Sequence, residues 1–144
     1  MAITRHFCRA HNFAYSQCVG SIDDQDLRIH VLNFQVESRG LVYVREILDF
    51  RRMTEADGLT VQGMIEITDL ERKRSRDRAF RLAILTNRPL FKQIAHLYAQ
   101  VIRTENLITR VFDDDVDAAL TWLGYDRQTA VMLNRFMVDH HPDP

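Results

Sequence analysis

The polar residues that could do chemistry are concentrated in one stretch, "ILDFRRMTEADGLT", residues 47–60. It begins as an apolar strand and becomes polar at Asp49, which is followed by Arg51 and Arg52. In open α/β sheets a ligand commonly binds in the crevice at the carboxyl ends of the strands. Asp49 is therefore a candidate ligand-binding carboxylate, and a solvated or loop-bonded carboxylate is the alternative.

The second half of this stretch carries two hydroxyl groups, Thr54 and Thr60, and the pair Asp57–Gly58. Thr and Asp are favoured at helix N-caps, and Gly is favoured in turns. The simplest interpretation is that Thr60 or Asp57 caps the following helix and that Gly58 supplies a turn.

Two further features could bind an anion. Arg88 in "TNRP" precedes a helix whose first N–H groups are free, and capping by Thr86 or Asn87 is the alternative. A basic run could attract phosphate, an anionic membrane or an acidic partner, or could be a solvated helix end. Its basic residues are Arg72, Lys73, Arg74, Arg76, Arg78 and Arg81.

No pattern indicates a metal site or a catalytic nucleophile. The 6 histidines do not occur in Cys-x-x-Cys or His-Glu-x-x-His spacing. The acidic run "DDDVD", residues 113–117, is typical of a helix start, since a calcium loop needs a longer oxygen-rich spacing. Asp49 and His96 are the best catalytic candidates, and nothing in the sequence brings them together. We expect no metal, no cofactor and no enzymatic activity.

The bulk properties indicate one soluble domain. The chain has 144 residues and a net charge of −1, which argues against a nucleic-acid-binding surface. It contains no apolar run approaching the roughly 20 residues that span a bilayer, so we expect no stable membrane insertion. Without a secretory h-region we expect a cytoplasmic location, with Cys8 and Cys18 as free thiols.

Hydrophobic periodicity and cap residues predict strands that alternate with helices. We predict an α/β fold with a mainly parallel sheet of four or five strands, an N-terminal hairpin at one edge, and covering helices. The predicted strands are 2–8, 12–20, 41–50, 80–86 and 107–112; a loop follows to residue 59; the predicted helices are 24–36, 60–76, 89–104, 113–124 and 126–139.

The segment "RLAILTNRPLFKQIAHLYAQVIRTENLITRVFDDDVDAALTWLG", residues 81–124, resembles the C-terminal half of small bacterial proteins of the SpoIIAA-like, STAS-related superfamily. The shared features are a strand that runs into a polar residue and Pro, a long amphipathic helix, a strand ending in "RVF", acidic residues, and a closing "AxxWLG" helix. With the hairpin and "ILDF", the resemblance covers residues 1–124. It leaves 125–144 as a C-terminal helical extension.

The resemblance implies the fold of anti-sigma-factor antagonists, and with it a non-catalytic regulatory or protein-interaction module. In the phosphorylated antagonists, a Ser in a D-S-S-G pattern follows the "ILDF"-like strand. This chain has no Ser between Ser38 and Ser75, and Asp57–Gly58 stands about where the hydroxyl and its Gly would be. The departure puts a phosphorylation switch in doubt, and Asp57 would mimic a permanently charged state.

A small-ligand or lipid carrier is the alternative function. It is implied by a remote likeness of the superfamily to the Sec14 domain and by the apolar helix 89–104. The predicted helix 126–139 adds one more expectation, because its apolar side needs cover. It either packs on the domain or forms the contact of a homodimer.

Overall fold

The protein is described by a computed structural model that covers residues 2–41, 43–74 and 78–140, without the side chain of Arg74. Its strands are β1 (Ile3–Cys8), β2 (Phe13–Asp23), β3 (Tyr43–Gly58), β4 (Ala79–Thr86) and β5 (Leu107–Asp113). Its helices are α1 (Asp24–Glu37), α2 (Val61–Arg74), α3 (Pro89–Val101), α4 (Val116–Trp122) and α5 (Arg127–Asp139).

The five strands form one mixed sheet in the order β1-β2-β3-β4-β5. β1 pairs antiparallel with β2, and every other neighbouring pair is parallel. Each parallel crossover advances one position in the same direction, so the right-handed rule for βαβ units places α1, α2 and α3 on one face of the sheet. The predicted α/β fold with an N-terminal hairpin at one edge is confirmed.

The two faces of the sheet bury two separate apolar clusters. Side chains of α1, α2 and α3 pack on the first face, and Phe34, Met64, Phe91 and Tyr98 are among the buried ones. The last two helices, α4 and α5, pack on the second face. That cluster contains Phe13, Tyr15, Ile47, Leu85, Leu120, Leu123, Leu133 and Met137. None of the described helices is both long and apolar enough to cross a membrane.

The hairpin turn is a short 3-10 helix, Arg9–His11, that ends at Asn12 in the left-handed conformation, with φ of 51°. Cys8 lies opposite Phe13, and Cys18 lies opposite Ile3. The two thiols are therefore at opposite ends of the hairpin, consistent with the expected free cysteines.

The predicted boundaries are wrong at the end of α3, which is Val101 rather than 104, at the start of α4, which is Val116 rather than 113, and in the β2–β3 pair. β2 does not end at Gly20 but continues to Asp23, and residues 51–58 are not a loop but the second half of β3. The β2–β3 register shifts around Gly20, whose φ of 78° is typical of a glycine at a bulge. These shifts break the two-residue alternation, which is the signal that sequence analysis uses to recognise a strand.

Candidate functional site

The correction to β3 changes the position of Asp49. It is not at the end of a strand but within one, and it is the last β3 residue paired with β4, opposite Leu85. Its side chain lies on the α4–α5 face, because it hydrogen-bonds Tyr15 of that buried cluster. Asp49 is only 4% exposed, so no open crevice receives its carboxylate.

Hydrogen bonds occupy all the acceptor positions of the Asp49 carboxylate. One oxygen accepts from the backbone N–H of Arg51 at 2.9 Å and from Arg51 Nε at 3.0 Å. The other accepts from the Tyr15 hydroxyl at 2.6 Å and from Arg51 Nη2 at 2.9 Å. A carboxylate oxygen offers about two acceptor positions, so these four bonds use the whole group. Asp49 is a structural anchor in this geometry and has no lone pair left for a ligand.

Electrostatics keep the Asp49 carboxylate charged. Burial would raise its pKa, but the hydrogen bonds and the positive charge of Arg51, with the Tyr15 hydroxyl, outweigh burial and lower the pKa of Asp49. Burial and the neighbouring Asp49 raise the pKa of Tyr15 well above its usual range. Arg51 also pairs with Asp114 at 3.1 Å, which ties β3 to the segment between β5 and α4.

Three polar side chains that the sequence did not single out surround this anchor. His6 lies opposite Tyr15 in the hairpin, and its ring stacks on that of His140 with centroids 4.4 Å apart. Gln17 donates to the His140 carbonyl, while its buried Oε1 has no hydrogen-bond partner among the described residues. Burial, with the nearby His140, lowers the pKa of His6. No local sequence signal joins these residues, because they are brought together only by the docking of α5.

A second buried charge cluster lies on the opposite face, under α1. Glu46 is 2% exposed and accepts from Arg5 Nε at 3.1 Å and from the Ser16 hydroxyl at 2.5 Å. Arg5 Nη2 lies 2.7 Å from His30 Nε2. A guanidinium can only donate, so His30 accepts at Nε2 and carries its hydrogen on Nδ1. The sequence carried a signal for this cluster. Arg5 lies between the inward residues Ile3 and Phe7 of β1, and Glu46 lies between the inward residues Val44 and Leu48 of β3.

The third cluster joins the starts of α1 and α2. Asp24 accepts from the Thr60 backbone N–H at 2.9 Å and from the Thr60 hydroxyl at 2.6 Å. The same hydroxyl accepts from the Gly63 N–H at 3.0 Å, so Thr60 caps α2 as predicted. The Asp24 carboxylate therefore supplies negative charge at the start of α2, where the helix dipole favours it.

Glycine is required twice at this junction. A Cβ at position 63 would lie 2.2 Å from the Asp24 carboxyl carbon, and a Cβ at position 58 would lie 2.6 Å from the Asp23 Cβ. Gly58 is thus not a turn residue but the last residue of β3, placed where β2 passes close by. The other predicted site residues of this strand, Arg52, Thr54 and Asp57, lie along β3, with Thr54 and Asp57 exposed.

Arg88 lies apart from all three clusters, at the start of α3. It is the N-cap residue itself, and no side chain caps the helix, so the predicted capping by Thr86 or Asn87 is wrong. Thr86 is instead the last residue of β4, and its side chain is fully buried. The guanidinium of Arg88 lies over the Phe91 ring at 5.8 Å.

The basic run of residues 72–81 does not form one patch. Arg78 donates to the Ser38 and Leu41 carbonyls, on the side of α1. Arg81 donates to the Trp122 carbonyl at 2.8 Å, on the side of α4. Arg76 and the side chain of Arg74 lie outside the described part of the chain. The run is therefore divided between the two faces of the sheet.

The outer surfaces of α1 and α2 carry exposed apolar side chains. Ile29, Leu32 and Val36 recur at helical spacing along α1 and are 38%, 47% and 62% exposed. Val61 and Ile65 of α2 are also about half exposed, although they belong to the apolar start of the predicted helix. A groove of about 330 Å³ separates the two helices, and its lining includes Ile29, Gly63 and Ile67.

Comparison with known proteins supports the fold alone. No protein-family model matches the chain, and no curated protein matches it. A solved structure of an uncharacterized protein from the DUF3478 family of Shewanella loihica, with a SpoIIAA-like fold, is similar at a TM-score of 0.57 and 18% identity. The match covers 85% of this chain and 94% of that one. The protein therefore has a SpoIIAA-like fold, as the pattern of its sequence predicted.

Proposed function

We propose that the protein is a non-catalytic interaction module that binds another protein through the outer surface of α1. The observation that carries the proposal is the exposed apolar stripe Ile29, Leu32 and Val36 of α1. Exposed apolar residues that adjoin one another on a surface are typical of interaction sites.

The polar surroundings of this surface favour a protein partner over a membrane. Arg28 and Glu66 form an ion pair at 3.7 Å across the groove, and Asp24 and Gln25 line the same groove. Binding to anionic lipid requires an excess of Lys and Arg beside the apolar residues. Charged residues of both signs beside an apolar stripe fit the polar rim of a protein interface.

The described side chains also support a non-catalytic role. Asp49 is buried and its carboxylate is fully hydrogen-bonded, as described above. His96 lies on α3, whose buried residues pack on the other face of the sheet from Asp49. The apolar side of α3, which suggested a lipid carrier, is already covered within the fold. Its residues Phe91, Ala95 and Tyr98 pack directly on the sheet.

Matched charge substitutions test the proposed interface. Leu32→Glu places a charge in the stripe, and Val131→Glu places one on an exposed apolar position of α5, outside the stripe. Tagged wild-type protein and both variants are crosslinked in the native host, and the recovered proteins are compared. We expect the wild type and Val131→Glu to recover the same protein, and Leu32→Glu to lose at least about ten-fold of it.

The recovered partner is then purified and titrated against the three proteins. A raised Kd for Leu32→Glu alone supports the proposal. Two results contradict it: recovery that Leu32→Glu leaves unchanged, or light scattering that shows a homodimer dissociated by Leu32→Glu, which would assign the stripe to self-association.

A further inference from the structure

The sheet has an open edge at β5, and a groove runs along it. β5 pairs with β4 on one side, and no strand of the described residues pairs with its other side. The groove has a volume of about 530 Å³. It is lined by His96, Ala99 and Gln100 of α3, by Arg103 just after it, and by residues 108–111 of β5.

The hydrogen bonds to β4 show which backbone groups of β5 face the groove. Phe80 N–H donates to the Asn106 carbonyl at one end, and Asp114 N–H donates to the Thr86 carbonyl at the other. Successive peptide groups of a strand point to alternate sides, so the even-numbered residues bond to β4. The N–H and C=O groups of Thr109 and Val111 therefore point away from the sheet, into the groove.

The first outward group of β5 is already bonded, which fixes where an added strand would begin. The Leu107 N–H donates to the Thr104 hydroxyl at 3.1 Å. Beyond it, Thr109 and Val111 offer donors and acceptors in the spacing of a strand pair. The buried Thr109 hydroxyl also has no hydrogen-bond partner among the described residues. Unpaired edges of this kind are templates for the addition of an extended peptide.

The charge of the groove determines which peptide fits. Arg103 is exposed in its lining, and none of the lining residues is acidic. Arg110 is exposed on the other face of the same edge, with its guanidinium over the Phe112 ring, so an added strand would present alternate residues to it. A second copy of the chain is disfavoured, because it would add its own Arg103 and Arg110 to the same place. The β5 strands of two copies could avoid this repulsion by pairing antiparallel with Arg110 opposite Asp113. In that register, however, only residues 110–113 of each strand would be paired.

We propose that the groove between α3 and β5 binds an extended acidic segment of a partner protein as an added sixth strand. This proposal rests on the proposed function in one respect, because the segment that binds in the groove belongs to a protein partner. It uses a surface on other residues than the α1 stripe, so the two proposals can fail separately.

Proline substitution tests the backbone contacts. Thr109→Pro removes an N–H that is not bonded to β4 and places the ring on the groove side, where the fold tolerates it. Thr109→Ser keeps both the N–H and a hydroxyl and is the matched control. The probe is a fluorescent synthetic peptide that alternates glutamate with valine, titrated by anisotropy into the purified full chain. We expect Thr109→Pro to weaken binding about ten-fold or more and Thr109→Ser to leave it nearly unchanged.

Charge reversal tests the same groove without relying on proline. Arg110→Glu is expected to weaken the glutamate peptide and to favour a matched peptide with lysine in place of glutamate. Leu32→Glu should bind the glutamate peptide like the wild type, whether or not the α1 interface is real. The proposal is overturned if the wild type binds neither peptide or both alike, if Arg110→Glu changes nothing, or if a folded Thr109→Pro variant binds normally. It is also overturned if the chain forms a dimer that Arg110→Glu dissociates.

Discussion

Whether a polar residue of this protein is available to a ligand depends on how completely its donors and acceptors are hydrogen-bonded within the fold. Asp49 is the residue that the sequence marks most strongly, and the structure uses all of its acceptor positions internally. Its bond to Arg51 joins side chains two apart on one strand, a contact within reach of sequence reasoning. Its bond to Tyr15 spans 34 positions and depends on the β2–β3 register, which the bulges around Gly20 conceal.

Replacement of Asp49 by Asn should lower stability rather than remove an activity. Asn is uncharged and has a single acceptor oxygen, so it cannot accept both side-chain hydrogen bonds of Arg51 as the carboxylate does. The Arg51 guanidinium then loses its buried charged partner. Arg51 keeps Asp114 and is 20% exposed, so the cost should be below that of a fully buried ion pair. We expect a loss of about 2–3 kcal/mol in the free energy of unfolding, measured by urea denaturation.

The pH dependence of this loss follows from the lowered pKa of Asp49. A carboxyl whose folded-state pKa is depressed stabilises the fold above its unfolded-state pKa, and the stabilisation disappears as pH falls through the folded value. The difference between wild type and Asp49→Asn should therefore be full above the ordinary value of 3.8 and shrink below it. Asp57→Asn, at an exposed carboxyl of the same strand, is the control and should cost less than about 0.5 kcal/mol. Equal losses for the two variants would contradict the anchor role of Asp49.

At the scale of elements, the sequence predicts those whose signals are local. The capping box of Asp23 and Asp26 marks the start of α1, and the stripe of Phe91, Ala95 and Tyr98 marks α3. The second half of β3 has no such signal, because its exposed charges and the Asp57–Gly58 pair are typical of a turn. Pairing with β2, a long-range interaction, makes it a strand.

The junction of α1 and α2 gives a prediction that runs against helix propensity. Gly63→Ala in an ordinary helix would stabilise it by about 0.8–1 kcal/mol. Here the new Cβ would meet the Asp24 carboxyl, which Thr60 holds in place through two hydrogen bonds. We expect Gly63→Ala to destabilise the protein by about 1–2 kcal/mol, measured by thermal and urea unfolding.

The double variant separates steric conflict from other effects of the glycine. In an Asp24→Ala background the obstructing carboxyl is gone, so Gly63→Ala should become stabilising by up to about 1 kcal/mol. This reversal of sign is specific to the close approach of the two residues. The same destabilisation in both backgrounds would show that the Asp24 contact does not explain the need for glycine.

At the scale of the whole molecule, the sheet is covered on both faces, and α5 contributes to the second face. The division of the chain into a domain of residues 1–124 and an extension of residues 125–144 remains a prediction. The sequence left open whether this helix packs or dimerises. In the structure, Leu133 and Met137 are buried in the same cluster as Phe13 and Leu85, so its apolar side packs on the sheet. The Tyr125 hydroxyl also donates to the His11 carbonyl at 2.8 Å.

This packing predicts that α5 unfolds together with the sheet. Leu133→Ala should lower the free energy of unfolding by about 3 kcal/mol, because it leaves a cavity in a cluster that includes residues of four strands. Val131→Ala, on the same helix but 66% exposed, should change it by less than about 0.5 kcal/mol. Hydrogen exchange should then give the protected amides of α5 the same opening free energy as those of β2 and β4, since one cooperative unit opens as a whole. Protection of α5 that is lost far earlier than that of the strands, with Leu133→Ala leaving the strands unaffected, would instead establish α5 as an independent extension.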